Sequence, residues 1–218
     1  MAPIHTPVVR IPPRSTYPSG MAFGDTAPAP AAFRRAVDSL HRARIRPEIE
    51  LEDIPAPQRL APFSTAIGAS VYRGDDELAV GKLIVLFDPD GQRGWDGPFR
   101  LVAYVRADME PEITSDPLLG PVAWSWLTDA LDAHDAGYAA AGGTVTRAMS
   151  EGFGNKADDP TTTELELRAS WSTREEDLSR HVAAWCDLMC LAAGIPPLPP
   201  DVATLPPRNR EDPEPFRK

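Results

Sequence analysis

Apolar side chains repeat first at helical spacing and then at strand spacing, and the two spacings alternate along the chain. Phe33, Val37 and Leu40 lie at i, i+4 and i+7, which predicts a first helix from about Pro30 to Arg44. A meander of three strands follows, then a helix, a pair of strands and a last helix. This order predicts an α+β fold in which helices pack on an antiparallel sheet.

The predicted meander strands differ in how many of their faces are apolar. Residues 83–87 are apolar at every position, which indicates a central strand that is covered on both faces. Residues 99–105 alternate instead, and Arg100 and Arg106 point away from the apolar side. Short turns such as Asp88-Pro-Asp-Gly91 connect these strands, so we expect antiparallel pairing.

The second half of the chain repeats these signals. Pro121 suits the first position of a helix, and the strands after it carry apolar residues at alternate positions around 145–149 and 165–171. Thr173-Arg-Glu-Glu176 has the spacing of a capping box, which predicts the start of the last helix there. Gly194 is expected to end that helix.

Prolines concentrate at both ends of the chain. Seven of the 25 lie in residues 1–30 and eight lie in residues 194–218, and neither end has periodic apolar positions. We therefore expect a Pro-rich N-terminal tail over residues 1–29, a single domain over 30–195 and a second tail over 196–218.

The net charge of −10 argues against a protein that reads the backbone of DNA or RNA, since such a protein needs a basic face. No apolar run reaches the roughly 18 residues of a membrane span, and the first 25 residues lack the apolar segment of a signal peptide. Cys186 and Cys190 lie four apart on a predicted helix, where geometry does not favour a disulfide. We expect a cytoplasmic protein with reduced thiols.

Side chains that could support catalysis or bind a metal are few. None of the four histidines has the spacing of a metal ligand set, and His181 is expected to be half-exposed on the last helix. Cys186 and Cys190 are expected to be small packing residues near Trp185. The sequence therefore predicts no enzyme, no cofactor and no metal site.

Glu164 and Glu166 share one face of a predicted strand and could act as an acid–base pair. A solvated ladder of charges with Arg168, and with Arg147 across the sheet, explains them more simply.

The first helix carries a cluster of arginines in an otherwise acidic chain. Its members are Arg34, Arg35, Arg42, Arg44 and Arg46. They could meet an acidic partner or an RNA backbone. We favour pairing within the chain, with the carboxylates that follow directly at Glu48, Glu50, Glu52 and Asp53.

Two further segments are candidate partner contacts. Residues Glu48, Ile49 and Leu51 belong to an alternating acidic and apolar stretch, which predicts a short edge strand or an extended arm. Trp124 and Trp126 straddle one helix, so we expect one in the core and the other exposed as an anchor for a partner.

Several stretches of the chain have a characteristic amino-acid sequence, among them Arg46–Pro62, Phe99–Ala107, Trp124–His134, Gly143-Thr-Val-Thr-Arg147 and Arg168-Ala-Ser-Trp171. They resemble the actinobacterial "domain of unknown function 3000" family over roughly residues 31–200. The resemblance implies a cytoplasmic actinobacterial protein and brings neither an activity nor catalytic residues.

The element order α-βββ-α-ββ-α also resembles that of type III secretion chaperones and YbjN-like proteins, which bind extended peptides or partner domains. This secretion-chaperone-like topology implies a non-enzymatic adaptor or peptide chaperone, and we expect a homodimer because the last helix is apolar. One alternative is an accessory protein in RNA processing that uses the Arg34–Arg46 cluster. Another is an enzyme whose active site is assembled only by the fold.

Overall fold

Six antiparallel strands and four helices make up residues 29–197, the part of the chain that the computed structural model describes. The strands are β1 (Ile49–Asp53), β2 (Phe63–Arg73), β3 (Asp76–Phe87), β4 (Phe99–Asp108), β5 (Ala139–Ser150) and β6 (Thr162–Thr173). The helices are α1 (Ala31–Leu40), α2 (Pro111–Thr114), α3 (Leu119–Ala133) and α4 (Ser179–Ala192). The strands form one sheet in the order β1-β2-β3-β4-β6-β5, which confirms the predicted α+β class and adds β1 and the short α2 to the predicted order. Residues 1–28 and 198–218, which make up most of the two predicted tails, lie outside the described residues.

Alternation along the strands gives the sheet a buried side and an open side. On β4, Phe99, Leu101 and Val105 are buried in the core, while Arg100 and Arg106 lie on the opposite side. The prediction for this strand is confirmed. β3 pairs with β2 and β4 and is therefore internal to the sheet, as its apolar residues predicted.

The three longer helices cover the buried side of the sheet. α4 packs over β2, β3 and β4, and both α1 and α3 pack beside α4. The approach of α4 is closest at Gly81 of β3, where a Cβ atom would lie 2.6 Å from the Met189 sulfur and 2.8 Å from Trp185 Cζ2. α4 is almost entirely buried by its own chain, so its apolar residues belong to the core.

Two of the predicted helix boundaries are wrong. α1 ends at Leu40 rather than Arg44, and the Arg42 N–H donates to the Ser39 carbonyl at 3.1 Å in the turn that follows. Arg46, beyond this turn, donates to the Glu48 carboxylate at 2.9 Å and to the Pro196 carbonyl at 2.7 Å. α3 begins at Leu119, ahead of Pro121, after the Asp116 carboxylate accepts a hydrogen bond from the Leu118 backbone N–H at 2.8 Å.

The predicted capping box at the start of the last helix is also wrong. Thr173 is the final residue of β6, and α4 begins at Ser179. The Asp177 carboxylate accepts from the Ser179 N–H at 3.0 Å, and the Ser39 hydroxyl of α1 accepts from the Leu178 N–H at 2.8 Å. The cap of α4 thus comes partly from another helix, which no local sequence motif could indicate.

Among residues 29–197, the open side of the sheet is covered only at one corner. Prolines keep residues 54–62 out of regular structure, and this segment folds back so that the Ser64 hydroxyl donates to the Pro57 carbonyl at 2.9 Å. Ala66 and Leu86 point to this side and are nevertheless buried. The rest of the open side has none of the three longer helices against it.

Candidate functional site on the open face of the sheet

The arginines of α1 pair with carboxylates of the same chain. Arg35 forms an ion pair with Glu176, and the Arg42 guanidinium lies 3.6 Å from the Asp177 carboxylate. Arg34 donates to the Ala29 carbonyl at 2.6 Å. Pairing within the chain was predicted and is confirmed for Arg46 with Glu48 at 2.9 Å, whereas Glu176 and Asp177 lie between β6 and α4 rather than directly after α1. These pairs leave fewer free cations for an RNA backbone, which weakens the RNA hypothesis.

The predicted arm at Glu48, Ile49 and Leu51 is the start of the edge strand β1. Ile49 is 5% exposed and belongs to the core, and Leu51 packs against the core. The bond from Arg46 holds the pKa of the Glu48 carboxyl below its ordinary value. The surface at this edge that is accessible to a partner is an open acidic depression of about 660 Å³. It is lined by Pro47, Glu48, Glu50, Tyr72, Gly74 and Asp75.

The two tryptophans of α3 are alike in exposure, contrary to the expectation of one core and one exposed ring. Trp124 and Trp126 are both half-buried, because α3 lies at the edge of the sheet, against β5. The Trp124 ring covers Gly143 of β5, where a Cβ atom would lie 2.8 Å from Cζ3. The two predicted contact segments therefore lie at opposite edges of the sheet, β1 and β5.

The outward side chains of β3, β4 and β6 form a surface of charged and apolar residues, called the open face from here on. Strand register places its central residues in three rows: Val80–Arg106–Glu166, Lys82–Tyr104–Arg168 and Ile84–Val102–Ser170. The acidic pair Asp108 and Glu164 forms the next row. Val80, Ile84, Val102 and Tyr104 are half-buried although none of the described helices covers them. Partly exposed apolar residues in the middle of a sheet, surrounded by charges, are typical of a contact surface.

Tyr104 lies at the centre of an interacting group on the open face. Its hydroxyl donates to the Glu166 carboxylate at 3.1 Å, and Arg168 bonds the same carboxylate at 2.9 Å. The Arg168 guanidinium carbon lies 5.6 Å from the centre of the Tyr104 ring, within cation–π range. Burial raises the pKa of Tyr104 above its ordinary value, so the phenol stays protonated and donates.

Lys82 and Arg106 are the cations of the open face that remain unpaired. Both are exposed, and neither lies within 4.0 Å of a carboxylate in the described part of the chain. Glu166 is the register partner of Arg106 but is held by Arg168 and Tyr104. The centre of the open face is therefore positive in a chain whose net charge is −10.

Arg100 is a third cation beside the open face and contacts only neutral groups. It donates to the Ala140 carbonyl at 2.9 Å, to the Ser172 hydroxyl at 3.0 Å and to the Ser170 hydroxyl at 2.6 Å. Burial lowers the pKa of Arg100 below its ordinary value. Its bonds connect β4 across β6 to the first residues of β5, so this arginine also holds the edge strand in place.

Sequence reasoning missed Lys82, Tyr104 and Arg106 because each is an unremarkable polar residue on an alternating strand. A usable signal was present in the apolar run at 83–87. Ile84 points away from the core, so its hydrophobicity has no role in packing the helices and indicates an outer surface that makes contacts.

Arg147 does not take part in the predicted charge ladder. Its register partner is Leu165, which is buried, so Arg147 projects on the helix side of the sheet. There it donates to the Thr114 carbonyl at 3.2 Å and to the Asp116 carbonyl at 2.6 Å. The ladder is limited to Glu166 and Arg168.

His181 is fully buried, which corrects the expectation of a half-exposed histidine. Trp171 Nε1–H donates to His181 Nδ1 at 3.2 Å, so the proton of the neutral ring lies on Nε2, which is 3.5 Å from the Glu175 carboxylate. Burial lowers the pKa of His181 to about 4. The histidine therefore stays neutral near pH 7 and has a structural role in the core.

Cys186 and Cys190 are free and buried, as predicted. Burial raises the pKa of Cys190 to about 11 and that of Cys186 further, so both remain protonated thiols near neutral pH.

Among residues 29–197, no three histidine, cysteine, aspartate or glutamate side chains come close enough to hold a metal ion together. Within the same range, every helix is too short or too polar to cross a bilayer.

Comparison with known proteins shows the family of the chain and nothing more specific. No curated protein and no solved structure matches the chain. A family model described as "Protein of unknown function (DUF3000)" matches residues 29–203, which is most of the chain and includes every strand and helix described above. The resemblance in the sequence is confirmed, and the chain belongs to the DUF3000 family of proteins of unknown function.

Proposed function

We propose that the protein is a non-enzymatic binding module that holds an acidic segment of a partner protein on the open face. The observation that supports this most is the pair of unpaired cations, Lys82 and Arg106, beside half-buried Val80, Ile84 and Val102. A positive centre in a chain of net charge −10 favours an anionic ligand, and the apolar residues favour one with hydrophobic side chains as well.

The spacing of the two cations suits an extended peptide. Lys82 and Arg106 are diagonal neighbours on adjacent strands, which places such side chains about 7–8 Å apart. Carboxylates at positions i and i+2 of an extended chain point to the same side, about 7 Å apart. Two acidic residues of the partner can therefore reach both cations while apolar residues at i−2 and i+4, which point to the same side, cover Val80 and Val102.

A cytoplasmic adaptor or chaperone role is the broader form of this proposal. The resemblance of the element order to that of secretion chaperones suggests the class of ligand, an extended segment of another protein. Single-stranded RNA is also bound by surfaces on which cations surround aromatic rings. Such surfaces use several aromatic rings for base stacking, whereas Tyr104 is the one aromatic side chain in the three rows of the open face. The acidic net charge further favours a protein partner.

Affinity capture with a charge-reversed variant tests the proposal. The full chain should recover a partner from native lysate in stoichiometric amount, and Lys82→Glu with Arg106→Glu should abolish the recovery. The control is Arg44→Glu with Arg93→Glu, which changes the net charge equally at exposed positions away from the open face. Absence of a stoichiometric partner, or a partner retained by the open-face variant, would contradict the proposal.

Two defined probes then separate the classes of ligand. An extended peptide with glutamates at i and i+2 and valines at i−2 and i+4, all on one side, should bind the full chain with an affinity that falls as salt is raised. An oligouridine of equal charge should bind more weakly. Tight, salt-dependent binding of the oligouridine in place of the peptide would favour the RNA alternative.

A further inference from the structure

β5 is an open sheet edge. It pairs with β6 on one side only, and none of its twelve residues is buried. Its backbone therefore presents a row of N–H and C=O groups that no other strand of the described chain takes up. Such an edge is a template for another strand.

The two edges of the sheet differ in how they are protected. β1 has five residues, and Glu50, Glu52 and Asp53 make it acidic. β5 has twelve residues, contains no proline or lysine, and has Arg147 as its one charged side chain. Shortness and charge are the usual means of preventing edge pairing. β1 has both, whereas β5 is long and has a single charge and a bulge confined to its first residues, so residues 142–150 are the stretch of edge open to pairing.

Exposed apolar side chains accompany β5. Leu118 is 64% exposed and Val122 is 43% exposed at the start of α3, and Met149 at the end of β5 is 58% exposed. α3 packs against β5 on the helix side of the sheet. A strand that joined β5 would therefore bring its own helix beside α3 and cover part of this apolar group.

We propose that a second copy of the chain pairs with β5 in antiparallel fashion, so that two sheets join into one of twelve strands. A two-fold axis at Val145 places Arg147 opposite Gly143 and Thr144 opposite Thr146. This register avoids a contact between like charges and creates favourable Thr–Thr pairs. Because the rest of the chain is acidic, the nearly uncharged β5 edge is where two copies can approach with least repulsion.

The assembly is independent of the proposed partner site. A two-fold axis perpendicular to the sheet keeps both open faces on the same side and sets the two α3 helices side by side on the other. Dimerisation would therefore leave Lys82 and Arg106 accessible, and loss of one property would leave the other intact.

Light scattering of the full chain tests the dimer. Wild type should have twice the chain mass of 23.7 kDa. Thr144→Lys with Thr146→Lys places like charges opposite each other and should raise the dimer dissociation constant by about tenfold or more. The control, Thr161→Lys with Thr162→Lys, adds the same charge at exposed positions outside the edge and should remain dimeric. A monomeric wild type from micromolar concentration to the solubility limit, or an unchanged dimer in Thr144→Lys/Thr146→Lys, would overturn the proposal.

Disulfide trapping tests the same interface without charge changes. Val145→Cys should form an intermolecular disulfide on mild oxidation, since opposed strand residues lie at the Cα separation that a disulfide needs. Ala148→Cys on the same strand would face Gly142 and should stay reduced. The buried native cysteines give little background. Failure of Val145→Cys to cross-link, or equal cross-linking of Ala148→Cys, would overturn this register.

Discussion

Gly142 and Gly143 are adjacent in β5, yet their side-chain positions have opposite surroundings. A Cβ atom on Gly143 would overlap the carbonyl oxygen of Arg168 and would lie 2.8 Å from Trp124 Cζ3 and 2.9 Å from the Ala169 Cα. A Cβ atom on Gly142 would meet no such neighbour within 4 Å. The substitution to alanine should therefore harm the fold at one position and not at the other.

The expected magnitude follows from what would have to move. The carbonyl and the Cα belong to the backbone of β6, so no side-chain rotation relieves the overlap, and β5 must shift away from both β6 and the Trp124 ring. Overpacking of this kind costs about 1–3 kcal/mol. Gly142→Ala should instead be neutral or gain about 0.4–1 kcal/mol, because alanine reduces the entropy of the unfolded chain.

Urea and thermal unfolding of the two variants measure the difference. We expect Gly143→Ala to be less stable than Gly142→Ala by about 1–4 kcal/mol, and a loss of about 2 kcal/mol lowers the Tm of a chain of this size by about 4–8 °C. Hydrogen exchange should be faster in β5 of Gly143→Ala than in Gly142→Ala. Equal stabilities would show that β5 does not lie against β6 and α3 as described here.

Three further predictions concern the core and the edge strand. Ser39→Ala removes the hydroxyl that accepts from the Leu178 N–H and should lower the free energy of unfolding, measured by chemical denaturation, by about 1–2 kcal/mol. The control Ser125→Ala loses only a hydrogen bond within its own helix and should lower it by less than about 0.5 kcal/mol. His181 has a folded-state pKa of about 4 against an ordinary value of 6.5. Between pH 6.5 and 4 the unfolded chain therefore binds a proton at this position and the folded chain does not. The free energy of unfolding of wild type should fall by about 3 kcal/mol across that window, and His181→Gln should lack this dependence when unfolding is measured there. Arg100→Leu removes the bonds that reach the start of β5, so hydrogen exchange there should accelerate while β2 and β3 stay protected, and uniform exchange across the sheet would contradict this role.

The sequence predicted the strands well, because the two faces of a sheet next to a core impose strict alternation. Phe99, Leu101 and Val105 of β4 followed directly from it. Helix ends were predicted less well, because distant residues determine them. The start of α4 depends on a hydroxyl from Ser39, which is 139 positions away in the chain.

The candidate site was harder to predict than the fold. Lys82 and Arg106 belong to different strands, and only their pairing register makes them neighbours on one surface. The arginines among residues 34–46 drew attention because they are close together in the sequence, yet Glu176 and Asp177 from the far end of the chain pair with Arg35 and Arg42. Charge clusters along a sequence are therefore a weak guide to free charge on the surface.

The chain contains three lysines, Lys82, Lys156 and Lys218, which makes zero-length cross-linking a direct test of the open face. A carbodiimide joins a lysine amine to a carboxylate that it touches. With the partner recovered by affinity capture, we predict a cross-link between Lys82 and an acidic residue of that partner, and its loss in Lys82→Arg while the partner still binds. Cross-links confined to Lys156 or Lys218 would place the contact elsewhere and contradict the open face as the binding surface.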